Sequence, residues 1–155
     1  MAKQVTRAEK LTFSRRLFNP NFFHLVAEMI DITRRFIFAY GGSSSAKSFS
    51  CVQAILIQGC LIEKSNTLVF RKVSATIKKT IKKDFEGVIK AYGLEDYFDV
   101  QDFTIKCYNG SYIDFSGMDD SEKIKGISSY KRVLLEELSE FDHADFKQVR
   151  KRLRG

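Results

Sequence analysis

A loop of small residues joins two apolar segments of this chain, and it limits the possible folds more than any other feature. The segment before it, residues 35–40 (RFIFAY), is aromatic and β-branched and predicts a buried strand. The segment after it, from residue 47 to about residue 62, carries apolar residues around much of a helix. In such a loop, successive backbone N–H groups can surround phosphate oxygens at the start of the helix. The sequence therefore predicts a strand–loop–helix unit that binds phosphate.

The loop follows the Walker A pattern G-x-x-x-x-G-K-[ST] at every place except Ala46, which replaces the second glycine. The Lys47 ammonium would reach the β and γ phosphates, and the Ser48 hydroxyl would ligate Mg²⁺. If residue 46 needs a positive φ, its Cβ costs roughly 1 kcal/mol. The alternative is a serine-rich loop that precedes Lys-Ser by chance. The predicted nucleotide-binding residues are Gly41, Gly42, Ser43, Ser44, Ser45, Ala46, Lys47 and Ser48.

Two adjacent glutamates follow a short apolar strand predicted at residues 132–135 (RVLL). Neighbouring strand residues point to opposite sides, but both can face a crevice beside the phosphate loop where the strand ends. We assign Glu136 to Mg²⁺, through water, and Glu137 as the base that polarises water for attack on the γ-phosphate. Lys47 is the second predicted catalytic residue. An apolar triplet before two glutamates is also common at a solvated helix N-terminus.

The rest of the chain alternates strands and helices, which is the order of an α/β protein. Apolar runs without alternation favour a mostly parallel sheet covered on both faces. The predicted elements are a helix after Asn19-Pro20, a strand at 67–70, an amphipathic helix through Ile77, Ile81, Phe85 and Ile89 with Gly93 as its C-cap, a hairpin with a type I′ turn at Asn109-Gly110, and a basic helix over 142–153 with Asp142 as its N-cap.

Length and composition favour one domain in a reducing compartment. The 155 residues are 44% hydrophobic, which is enough to bury a core. The net charge of +7 suits nucleic acid or a nucleotide without choosing between them. The cysteines form no Cys-x-x-Cys pair, which argues against a disulfide framework and a zinc ribbon. We expect no signal peptide, and the most apolar stretch, residues 51–62, is too short to span a bilayer.

Both sites, their order and their surroundings resemble the large terminase subunits of tailed phages. The resemblance runs from about residue 18 to the end of the chain. The motifs that carry it are Tyr40-Gly41-Gly42 before the loop, Val69-Phe70-Arg71-Lys72 on the next strand, residues 109–115 (NGSYIDF), residues 123–126 (KIKG) and residues 135–140 (LEELSE). Many relatives carry an arginine in the loop where this chain has Ser43. In its place Arg71, or an arginine of the basic end (Arg150, Arg152, Arg154), could act on a neighbouring subunit's nucleotide.

The resemblance implies a RecA-like P-loop ATPase, a three-layer sandwich with a mostly parallel sheet. Residues 1–155 would form a single, partial ATPase domain, truncated before the nuclease domain that follows in such enzymes. It also implies ATP and Mg²⁺ as cofactors, and hydrolysis that packages double-stranded DNA into procapsids. The partners would be the portal protein and the small terminase subunit, with the full-length motor forming a homo-oligomeric ring. The setting would be the cytoplasm of the infected bacterial host, without a membrane.

Two other classes of function stay open. One is a different P-loop NTPase, helicase-like or kinase-like, which the resemblance of residues 103–126 argues against. The other is a non-catalytic nucleic-acid-binding module with a degenerate loop, which the Lys-Ser pair and the two glutamates argue against.

Three further groups of residues could form sites, and each has a simpler interpretation. Asp114, Asp119 and Asp120 could form a two-metal nuclease site, but aspartates are common in turns. Phe22 and Phe23 could stack an adenine, although core packing is favoured. The lysines Lys78, Lys79, Lys82 and Lys83 and the basic end could contact DNA phosphates, but a helix face of lysines is usually only solvated.

Overall fold

Five strands form one sheet in the computed structural model, which describes residues 11–42, 45–77, 79–119 and 125–153. In chain order they are β1 (Thr67–Arg71), β2 (Phe98–Val100), β3 (Thr104–Cys107), β4 (Tyr112–Gly117) and β5 (Arg132–Leu135). They lie in the order β2-β3-β4-β1-β5. Strand β1 is parallel to β4 and β5, whereas β3 is antiparallel to β2 and β4. The predicted α/β class is confirmed, and the sheet is a parallel core extended on one side by two antiparallel strands.

Helices cover both faces of this sheet. They are α1 (Pro20–Ile30), α2 (Lys47–Ala54), which continues as a π-helix (Ile55–Ile62), α3 (Ser74–Ile77), α4 (Ile81–Ala91) and α5 (His143–Arg152). Short 3-10 turns cover Arg15–Leu17, Gly126–Ser129 and Leu138–Glu140. The π-helix is closed by the Glu63 N–H, which donates to the Gln58 carbonyl five residues back at 3.0 Å. No described helix is long and apolar enough to cross a membrane.

Strand β1 is the centre of the fold, because every one of its residues is buried. Val69 packs into a cluster with side chains of α2, the π-helix and α4. Its neighbours Leu68 and Phe70 point the other way, into a second cluster with Ile127 and Val149. This alternation is what a pleated strand requires when both of its faces are covered.

The helix predicted through Ile77, Ile81, Phe85 and Ile89 is present but interrupted. All four side chains are buried, as their spacing predicts. The helix breaks between α3 and α4, where the Thr80 hydroxyl donates to the Thr76 carbonyl at 2.8 Å. A threonine that bonds its own backbone competes with the helical hydrogen bonds. Gly93 ends α4 with φ +63, and the Leu94 N–H returns to the Ile89 carbonyl, so the predicted C-cap is confirmed.

The strand predicted at residues 35–40 is absent, and this is the main correction to the sequence analysis. These residues belong to no strand of the sheet, and all of them are exposed. Phe36 instead lies against Phe146 of α5, with ring centroids 5.9 Å apart. Aromatic and β-branched composition indicates strand propensity only where a neighbouring strand supplies a ladder, and no described strand does so here.

The hairpin and the ends of two helices agree with prediction, with one difference in turn type. Strands β3 and β4 pair as the predicted hairpin. A type I′ turn needs positive φ at both central residues, but of Asn109 and Gly110 only the glycine has it, at φ +91. Asn19 and Asp142 cap α1 and α5 through their side chains, the latter within a capping box with Asp145.

Candidate nucleotide-binding site

The phosphate loop and Glu136, which lie far apart in the sequence, meet in the structure. The Ser48 hydroxyl, in the first turn of α2, donates to Glu136 Oε1 at 2.9 Å across 88 residues of sequence. Glu136 follows β5 directly, and its N–H donates to the Phe70 carbonyl at 2.9 Å, which extends the pairing of β1 and β5. The contact therefore joins the start of a helix to the carboxyl edge of the parallel strands, where α/β proteins hold ligands.

The Lys47 side chain folds back onto the phosphate loop that precedes it. Its ammonium donates to the carbonyls of Gly41 at 2.7 Å and Gly42 at 2.8 Å, and to the Ser45 hydroxyl at 3.1 Å. Gly41 has φ +145, and a Cβ there would lie 3.2 Å from Ser45 Oγ, so a side chain would be strained at this position. Ser43 and Ser44, also predicted to bind nucleotide, lie outside the described residues. The ammonium thus occupies the loop through contacts that phosphate oxygens could replace.

Ala46 adopts the left-handed conformation that the glycine of the pattern would favour. Its φ and ψ are 55° and 24°, immediately before α2 begins. We expect Ala46→Gly to raise the free energy of unfolding by about 0.5–1 kcal/mol, because the Cβ penalty outweighs the entropy that glycine adds to the unfolded chain. Urea denaturation measures this change.

Ala54→Gly is the matched control for that substitution. Ala54 is right-handed helical, with φ −64° and ψ −39°, so the same change should cost about 1 kcal/mol there. Equal losses at the two positions would show that Ala46 is not strained.

The first turn of α1 supports the loop from behind, which the sequence analysis missed. The Asn21 side-chain amide donates to the Ser45 carbonyl at 2.9 Å. The Ser50 hydroxyl lies 2.8 Å from the Ala46 carbonyl and 2.9 Å from Asn19 Oδ1, which also caps α1. The sequence marks Asn19-Pro20 only as a turn, and nothing in it shows that this turn packs against a loop more than twenty residues away.

Glu136 is a desolvated carboxylate that lies near other acids. Burial raises its pKa, and the hydrogen bond from Ser48 and the charge of Arg71 oppose that shift. The negative charges of Glu137 and Asp84 raise the pKa further. A carboxylate that is desolvated and crowded by other acids favours a bound divalent cation, because the cation removes the repulsion.

Glu137 faces Arg71 rather than the loop. Its Oε2 lies 2.6 Å from Arg71 Nη2, and Glu140 Oε1 lies 3.3 Å from the same nitrogen. The guanidinium is buried and belongs to the same chain, so a role for Arg71 on a neighbouring subunit's nucleotide is not supported. Of the basic end, Arg150 is exposed, whereas the Arg152 side chain and Arg154 lie outside the described residues.

The aspartates considered for a nuclease site have structural partners. Asp114 is buried and accepts from Thr104 and Tyr130, which ties β4 to its surroundings. Asp119 accepts from Ser74 at 2.5 Å, while Asp120 lies outside the described residues. Among the residues that the structure describes, no group of three or more His, Cys, Asp or Glu could hold a metal ion.

The remaining candidates divide between core and surface. Phe22 is buried and stacks on Phe18 with ring centroids 4.1 Å apart, so core packing is its role. Phe23 is partly exposed, and the Arg15 guanidinium lies over its ring. Lys82 is buried and paired with Glu86. Of the other lysines considered for DNA contact, Lys79 and Lys83 are exposed, and Lys78 lies outside the described residues.

Comparison with known proteins gives two matches. A family model described as phage terminase large subunit matches residues 33–155. The PBSX phage terminase large subunit of Bacillus subtilis (strain 168) is 33% identical over 119 residues, which are 76% of this chain and 27% of that protein. The chain thus spans about a quarter of the length of the relative it matches.

Proposed function

Because the chain belongs to the phage terminase large-subunit family, we propose that it is the ATPase motor part of such a subunit and hydrolyses ATP to package double-stranded DNA into procapsids. The observation that carries this proposal is the 2.9 Å contact between Ser48 and Glu136. It brings a Walker A-like loop and an acidic strand end together at one edge of a parallel sheet core. The sheet and its two helical layers are compatible with a RecA-like P-loop fold.

The residues of the site fit a nucleotide with its metal ion. The loop offers backbone N–H groups and the Lys47 ammonium to phosphate oxygens. Ser48 and Glu136 offer a hydroxyl and a carboxylate, which are ligands that Mg²⁺ accepts, with water completing its coordination. When bound, Mg²⁺ neutralises charge on the β and γ phosphates.

Glu137 acts on the attacking water in this proposal. Its carboxylate accepts a proton from the water as the water oxygen bonds to the γ-phosphorus. The bond between that phosphorus and the bridging oxygen breaks, so ADP and inorganic phosphate leave. Lys47 stabilises the negative charge on the phosphate oxygens during transfer. Together the two residues supply the base and the electrostatic stabilisation.

The larger assembly follows from the family alone. The full-length motor would form a homo-oligomeric ring on the portal protein, receive DNA with the small terminase subunit, and work in the cytoplasm of the infected bacterium. The net charge of +7 supports a polyanionic substrate but does not identify it.

Loss of the Lys47 ammonium is expected to weaken Mg-ATP binding about 100-fold, because charge-assisted hydrogen bonds to phosphate contribute about 1.5–3 kcal/mol each. Isothermal titration calorimetry of the parent and of Lys47→Ala measures the change. Lys83→Ala, an exposed lysine of α4, removes the same charge away from the site and should leave the affinity within about twofold.

Two outcomes would contradict the proposed function. Absence of Mg-ATP binding by the folded parent would leave the non-catalytic nucleic-acid-binding module as the better description. Equal binding by the parent and by Lys47→Ala would place the nucleotide elsewhere on the chain.

A further inference from the structure

Arg71 is a buried cation that faces two partly exposed acids. Its side chain is 6% exposed, whereas those of Glu137 and Glu140 are 50% and 43% exposed. Arg71 is the last residue of β1, and its backbone pairs with Gly117 of the neighbouring strand β4. Its Nη1 donates to the Thr80 hydroxyl at 3.3 Å, which fixes the other side of the guanidinium. A rigid buried donor therefore holds two acidic side chains that are about half exposed to solvent.

This contact is costly to stability in two ways. Arg71 Nε is buried without a hydrogen-bond partner. A buried charge with an unsatisfied donor is poor stabilisation compared with apolar packing. Glu137 also has a left-handed backbone, with φ 55° and ψ 58°, which a residue with a Cβ adopts at a cost of about 1–2 kcal/mol. Two such costs at one contact, beside a candidate catalytic site, indicate a functional constraint.

We infer that Arg71 is a positioning residue, which holds the Glu137 carboxylate at the edge of the phosphate site so that it can receive water for attack. This inference rests on the proposed function, because it assumes that Glu137 is the base. The register of the sheet sets the geometry. Phe70 pairs with Leu135, so Arg71 lies beside the residues that follow β5. Without the guanidinium, the half-exposed Glu137 side chain would be free to rotate into solvent.

Glu140 gives Arg71 a second acidic partner. It accepts from the same Arg71 nitrogen at 3.3 Å through either of its oxygens. When Glu137 takes up the proton from water and loses its charge, Glu140 still neutralises the buried guanidinium, so no unpaired charge is left behind. With Glu137 as its one acidic partner, the buried guanidinium would be left unpaired at that step.

A double-mutant cycle on ATP hydrolysis tests this role. We expect Arg71→Gln to lower kcat about 100-fold, since a small misplacement of a catalytic group has an effect of that size, and to leave KM for Mg-ATP within about threefold. Glu137→Gln lowers kcat by its own factor. Because Arg71 acts through Glu137, the double variant should lie within about threefold of Glu137→Gln alone.

Arg132→Gln is the matched control for loss of a partly buried arginine. Arg132 lies on β5, its Nη2 is 2.6 Å from Glu63, and it is placed at the opposite end of the strand from the glutamates. Arg132→Gln should lower the melting temperature by an amount similar to Arg71→Gln and leave kcat within about twofold of the parental value.

Arg71→Lys keeps the positive charge and should fold even if Arg71→Gln does not. Its kcat should be intermediate, since an ammonium matches two carboxylates less well than a guanidinium.

The possible failures are distinguishable. Effects on kcat that multiply in the double variant, parental kcat in Arg71→Lys, or an Arg71→Gln variant with raised KM and unchanged kcat would each overturn the inference and leave the proposed function intact. If the parent binds Mg-ATP but hydrolyses none in single-turnover assays, the hydrolytic proposal and the inference fail together.

Discussion

Glu137→Gln is expected to reduce the rate of ATP hydrolysis by about 10²–10⁴-fold while leaving Mg-ATP affinity nearly unchanged. Glutamine keeps the size of the side chain and can still accept a hydrogen bond, but it cannot take a proton from water. The phosphate loop is untouched, because the described contacts of the Glu137 carboxylate are with Arg71 and do not include Lys47 or Ser48. Single-turnover hydrolysis and calorimetry on the same preparation measure the two quantities.

Glu95→Gln provides the comparison, since Glu95 is an exposed glutamate in the segment between α4 and β2. Its hydrolysis rate should equal that of the parent. A Glu137→Gln variant that still hydrolyses ATP at the parental rate would exclude Glu137 as the base, and Glu136 would then need the same test.

Gly117→Ala is expected to lower the free energy of unfolding by about 3 kcal/mol, and the melting temperature by roughly 10 °C. Gly117 ends β4 opposite Arg71. A Cβ at this position would lie 2.5 Å from the Ser74 backbone nitrogen and 2.1 Å from Asp119 Oδ1, so both the backbone and the Ser74–Asp119 hydrogen bond would have to move. Thermal and urea denaturation measure the loss.

Gly87→Ala offers a control of opposite sign. Gly87 lies inside α4, and a Cβ there meets no atom within 4 Å. Alanine at this position should raise stability by about 0.5–1 kcal/mol, because glycine in a helix interior is disfavoured. If Gly117→Ala were as stable as the parent, α3 could not approach β4 as closely as the structure has it.

The sequence predicted the parts of the fold that depend on local pattern. Apolar runs predicted β1 and β5, and apolar residues four positions apart predicted the buried face of α4. Asp142 predicted where α5 begins. The order of motifs around the two sites also indicated the terminase family, and the comparisons confirm it. Each of these signals is contained within a short segment and needs no knowledge of distant neighbours.

Features that depend on partners far along the chain were not predictable. Residues 35–40 have the composition of a strand, but composition does not say whether a strand lies beside them. The pairing of Arg71 with Glu137 depends on β1 and β5 being neighbours in a particular register, which no local pattern records. The corresponding sequence pattern can be recognised only once the structure is known. Arg71 and Lys72, at the end of an apolar strand, form ion pairs with four acids, Glu137, Glu140, Asp142 and Asp145.

The π-helix after α2 affects how this chain should be aligned with its relatives. Each of its turns closes between residues five apart, so it holds one residue more than an α-helical turn. In a relative with one residue fewer between positions 55 and 62, α2 could continue through this segment as an ordinary α-helix. A gap in an alignment at this point would therefore record a change of helical winding inside the core, and not a shortened surface loop.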